Sequence, residues 1–109
     1  MMSDFKNNIK FNYLYRDGGN FKVWGCEIFS NPESIEPNTI EERIKQSLID
    51  GEFFDPEKWG VSRLKFEDWV PKLDHTWNKY DSIEITSEEP TIHYSINEFL
   101  EVIRKAPKY

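Results

Sequence analysis

Five side chains able to do chemistry fall within eight positions of one stretch, LDHTWNKYDSIE, residues 73–84: Asp74, His75, Trp77, Tyr80 and Asp81. A histidine oriented by a carboxylate is the usual general base. Asp74 and His75 are adjacent, however, and in an extended segment adjacent side chains point to opposite faces. Catalysis by His75 therefore needs a carboxylate brought in by folding, with Asp68, Asp81 and Glu84 nearest in the chain. No Ser or Cys lies in a recognisable nucleophile turn, and Cys26 falls within a predicted strand. The residues give no catalytic assignment, and the alternative is a small hydrolase-like enzyme using His75 with a neighbouring carboxylate.

Other site chemistries fit less well. The possible zinc ligands Cys26, His75 and His93 are far apart in the sequence and lack the spacing of a zinc site. The acids of DGEFFDPE, residues 50–57, lack the oxygen-ligand periodicity of a calcium loop. Gly18-Gly19 joins two strands and opens no helix, so it offers no amino terminus to a phosphate. Lys10, Arg16 and Lys22 are dispersed over a hairpin and make no basic stripe. The expectation is no metal, no cofactor and no direct nucleic-acid contact.

The charge points elsewhere. The chain carries a net charge of -6, and residues 50–89 hold eleven acidic against five basic groups. Such a field repels phosphates and steers basic partners. Three of the four tryptophans, Trp59, Trp69 and Trp77, fall in the same part of the chain. Aromatic anchors ringed by charge are what the centre of a protein interface uses. Core packing competes with that role, because a small domain tends to bury its largest side chains. The expected partner-binding set is Glu52, Asp55, Trp59, Trp69, Asp74, His75, Trp77 and Asp81.

These residues must be positioned by 109 residues, the length of one domain, read as 1–109. Ile9, Phe11, Tyr13 and Tyr15 alternate with Lys10, Asn12, Leu14 and Arg16 in a strand over 9–16. Asp17-Gly18-Gly19-Asn20 supplies a reversal, and FKVWGCEIF continues as a second strand, giving an N-terminal β-hairpin. In that strand Trp24, Cys26 and Ile28 share one face, while Phe21, Val23 and Phe29 share the other. Thr39 and Glu42 form a capping-box pattern before Ile40, Ile44 and Leu48, predicting a helix that Gly51 stops. Ser95 and Glu98 repeat the pattern before Ile96, Phe99, Leu100 and Ile103. Between the helices, Asp55-Pro56, Gly60 and Pro71 break the periodicity of 52–80, which reads as turns with short strand or helix pieces. DSIEIT, residues 81–86, reads as a third strand.

Three stretches, FNYLYRDGGNFKVWG, LIDGEFFDPEKWGV and LDHTWNKYDSIE, together resemble a family of short bacterial proteins of about this length. The resemblance implies no activity, ligand or catalytic residue. Asn-, Lys- and Ile-rich usage fits an AT-rich bacterial or phage genome.

The expected architecture is α+β: an antiparallel sheet opened by the N-terminal hairpin and packed by two amphipathic helices. One cysteine allows no internal disulfide, and no run approaches the roughly 20 apolar residues of a membrane span. With no signal-like start, a cytoplasmic, non-enzymatic protein is expected. It would bind a basic protein through its acidic, aromatic surface, as immunity-type or inhibitor-type proteins do, without membrane contact. A structural homo-oligomer joined at the hairpin edge is a further alternative, and oligomeric state is not read from the sequence.

Overall fold

A computed structural model describes residues 7–16, 22–62, 64 and 77–106. The fold is α+β. Strand β1 (Asn8–Arg16) pairs antiparallel with β2 (Lys22–Phe29) on one side and with β4 (Asn78–Thr86) on the other. A two-residue strand, β3 (Phe53–Phe54), completes the order β2-β1-β4-β3. The alternation read in β1 places Ile9, Phe11, Tyr13 and Tyr15 in the core, each 1% exposed or less.

Phe11 is the hub of that core. The rings of Tyr13, Phe54, Trp59, Tyr80 and Phe99 surround it at centroid distances between 5.2 and 6.3 Å. Phe29 stacks on Phe99 at 4.4 Å, and Phe54 on Trp59 at 4.5 Å. Each such side chain contributes about 1.5–3 kcal/mol of burial, so a few large rings hold together a chain that is polar on average.

Helices α1 (Pro37–Ser47) and α3 (Ile96–Lys105) cover the inner face. In α3 the whole sequence pattern is realised. Ser95 accepts from the Glu98 N–H while the Glu98 carboxylate accepts from the Ser95 N–H, and Ile96, Phe99, Leu100 and Ile103 are buried. In α1 the capping box does not form. The helix starts two residues before Thr39, at Pro37, after Glu36, which makes no side-chain cap bond. Proline at the first helical position has its φ already set and loses no helical hydrogen bond, so it starts the helix and leaves Thr39 in the first turn.

Gly51 also acts differently from the expectation. Helix α1 ends at Ser47, and Leu48 turns extended. Asp50 and Gly51 both take positive φ, at 53° and 73°, and the Glu52 N–H donates to the Ile49 carbonyl at 3.0 Å. Two consecutive residues at positive φ make a tight reversal, and the bridge between Ile49 and Phe53 closes it as a three-residue loop.

Among the described residues of 52–80 the short pieces are β3 and the single-turn helix α2 (Pro56–Trp59). Asp55 caps α2 by accepting from the Glu57 N–H at 3.1 Å, and Gly60 closes it at φ 76°. Strand β4 begins at Asn78, three residues before the expected start. Asn78 and Tyr80 face inward, yet Ile83 also lies on the inner side, which an unbroken period of two forbids. A β-bulge resolves the conflict: Asn12 pairs with Ser82 and Tyr13 with Tyr80, leaving Asp81 as the extra residue.

Candidate binding surface

The five described residues of the expected partner surface, Glu52, Asp55, Trp59, Trp77 and Asp81, do not form one surface. Trp69, Asp74 and His75 lie outside the described residues. Trp59 is 3% exposed, stacked on Phe54 and edge-on to Phe99 at 5.8 Å. It is a core residue with no face for a partner. Asp55 is used as the α2 cap. Glu52 is neutralised by Lys79 at 3.2 Å, beside a Phe53–Trp77 ring pair at 6.2 Å on the short β3 edge. Asp81 alone of the described set opens onto a different surface.

That surface is the outer face of the sheet. Strand pairing sets Cys26, Asn12 and Ser82 in one cross-strand row, and Ile28, Lys10 and Glu84 in the next. The short side chains of the first row form the floor of an open trough of about 400 Å³, lined also by Trp24, Gly25 and Asp81. The Asn12 side-chain amide donates to Ser82 Oγ at 3.3 Å and to Glu84 Oε2 at 3.0 Å. Ser82 Oγ donates to Asp81 Oδ2 at 2.8 Å. These bonds hold two carboxylates toward the trough, and the bond from Asn12 draws Glu84 over β1.

Trp24 forms one wall and is 57% exposed, the most exposed large apolar side chain among the described residues. The Lys22 ammonium lies 5.9 Å from its ring centroid, within cation–π range. Lys10, the cation inside the trough, is drawn to Glu88 at 3.6 Å. Among the described residues neither Asp81 nor Glu84 has an ion-pair partner.

The inner face of β2 carries a different polar group. Glu27 is 9% exposed, and its two carboxylate oxygens accept from Thr91 Oγ1 at 2.7 Å and the Ser62 N–H at 3.2 Å. It ties two connecting segments to one strand. Tyr13 adds a bond from its hydroxyl to the Ser62 carbonyl at 2.6 Å. Burial, reinforced by the charge of Glu27, pushes the Tyr13 and Tyr94 phenols up. Burial and the hydroxyl's bond to Glu41 at 2.6 Å push Tyr80 up. All three phenols stay protonated near neutrality and serve as donors.

Among the described residues no group of three His, Cys, Asp or Glu side chains is placed to hold a metal ion, and no helix is long and apolar enough to cross a membrane. The trough was missed in the sequence because its floor joins residues some 70 positions apart. The available signal was the polar faces of 9–16 and 81–86, which match once those strands are neighbours. Comparison with family models, with curated proteins and with solved structures found no match.

Proposed function

We propose that this is a non-enzymatic bacterial protein of the cytoplasm that binds a basic protein, in the manner of an immunity or inhibitor protein, through the outer face of its sheet. One observation carries the reading: Asp81 and Glu84 open onto a trough walled by the exposed Trp24, with no cation among the described residues paired to either. The centre of the acidic surface thereby moves from 52–81 to the trough. Glu52 has its own lysine, Asp55 its helix and Trp59 its core position, so each is already engaged within the fold.

Recognition would run in two steps. The net charge of -6 steers a basic partner to the protein, and this step weakens as salt rises. Trp24 then supplies apolar contact area on a rigid strand, where an aromatic anchor contributes most. The test is capture from host lysate at low and high salt by wild type and by the Asp81→Lys/Glu84→Lys variant. A basic protein held at low salt, released at high salt, lost with the variant and rebinding after purification would support the reading. Equal capture by the variant would refute it.

A further inference from the structure

The backbone beside the trough fixes what shape of partner fits there. At the Phe29 end of β2, the Ile28 N–H donates to Thr91 Oγ1 at 2.8 Å and the Ile28 carbonyl accepts from the Thr91 N–H at 2.9 Å. Both Ile28 peptide groups therefore face away from β1. Peptide groups alternate along a strand, so those of Cys26 and Trp24 face outward as well. Among the described residues nothing bonds to them. Thr91 already occupies the last part of this edge through its hydroxyl and backbone N–H, and among the described residues nothing bonds to the outward groups between Lys22 and Cys26.

We propose that the partner adds an extended, basic segment as an antiparallel strand along Lys22–Cys26 of β2, laying a lysine or arginine side chain into the trough. This rests on the function proposed above and specifies its mode of binding. An added strand would lie about 4.8 Å beyond β2 and about 9.6 Å from β1. Its residues that bond the outward groups of Trp24 and Cys26 project their side chains onto the outer face, the side of the trough. Glu84, drawn over β1 by Asn12, is within reach of a long cationic side chain from that position. Lys22 stands at the hairpin end, so charge favours the register that places the partner's cation opposite Cys26 and away from Lys22.

Charge also selects the occupant. A second copy of this chain would bring the same net charge of -6 and its own acidic trough to the edge. A basic segment meets Asp81 and Glu84 with opposite charge. The edge carries none of the usual protections at its centre: Trp24, Gly25 and Cys26 include no proline and no charge.

The probe is a short peptide of alternating lysine and threonine, compared with the same peptide N-methylated at its lysine amides. Methylation removes the donors that would pair with β2 and keeps every charge. Binding is read from Trp24 fluorescence and from amide exchange at Trp24 and Cys26. The expected result is binding tighter than about 1 mM at low salt. Slowed exchange at both amides accompanies it, with affinity at least about tenfold weaker for the methylated peptide. A Cys26→Pro variant, which deletes an outward N–H that β1 does not use, should weaken the unmethylated peptide by a similar factor. Equal binding of both peptides would overturn strand addition while leaving charge-based docking in the trough. Slowed exchange of the edge amides in the free protein, with a dimeric mass, would overturn it in favour of a second copy. No binding of either peptide to folded monomer would overturn both this inference and the function it rests on.

Discussion

Glu27→Ala should cost more stability than any other single change to a polar side chain on the sheet. The Glu27 carboxylate is nearly buried on the inner face and accepts from Thr91 Oγ1 at 2.7 Å and the Ser62 N–H at 3.2 Å. Hydrogen bonds to a charged group contribute about 1.5–3 kcal/mol each. Ser62 is exposed, so water replaces part of its bond when the carboxylate is removed. Thr91 Oγ1 keeps its bond from the Ile28 N–H. The net loss is then about 2–4 kcal/mol for alanine and about 1 kcal/mol for Glu27→Gln, which retains an acceptor for Thr91. In urea the alanine variant should lower the unfolding midpoint by roughly 1–2 M at unchanged slope. Amide exchange at Ser62 should quicken more than exchange at Phe11 in the sheet centre. A double-mutant cycle with Thr91→Val should return a coupling of about 1 kcal/mol or more. A Glu27→Ala variant within about 0.5 kcal/mol of wild type would refute the tether, because that is the range of an uninvolved surface change.

Trp59→Ala should destabilise by about 3–5 kcal/mol, the cost of emptying a buried aromatic site, and equilibrium unfolding separates this from the negligible cost of trimming a surface anchor. Ser95→Ala should cost about 1 kcal/mol by breaking a formed capping box, whereas Thr39→Ala should cost almost nothing; paired denaturation curves decide between them. Gly60→Ala should destabilise, since φ is 76° and a Cβ there would meet the Tyr94 hydroxyl at 2.5 Å; thermal unfolding reads it out. Alkaline titration gives a further check. Tyr13, Tyr80 and Tyr94 have phenols raised in the fold, so their contribution to stability is full below the unfolded value of about 10 and is lost as pH rises above it. The phenolate absorbance of these three should therefore appear together with unfolding, and their full ionisation in a still-folded protein would contradict it.

What the sequence disclosed depended on the range of each interaction. Helix α3 was legible because its cap and its apolar stripe are both written between Ser95 and Ile103. The pairing of β1 with β2 was legible because two alternating runs only a few residues apart in the chain fix it without distant information. Helix α1 was read three residues late, since Pro37 and Thr39 each carry a start signal and proline at the first position prevailed. Strand β4 was read short because the phase of its apolar residues changes at Asp81, and a bulge cannot be recognised until a partner strand is known. Trp59 had no periodicity to place it: a single-turn helix is too short to show a face. The trough was illegible for the same reason as the bulge. Asn12, Cys26, Ser82 and Glu84 become neighbours only when β4 lies against β1.

The account turns on where a basic ligand docks, and an amide chemical-shift map of the protein titrated with the unmethylated lysine–threonine peptide tests that most directly. Shifts concentrated at Trp24, Cys26, Asn12, Ser82 and Glu84, abolished in the Asp81→Lys/Glu84→Lys variant, are the predicted result. Shifts confined to Glu52, Phe53 and Lys79 on the β3 edge, or a variant that responds like wild type, would contradict it.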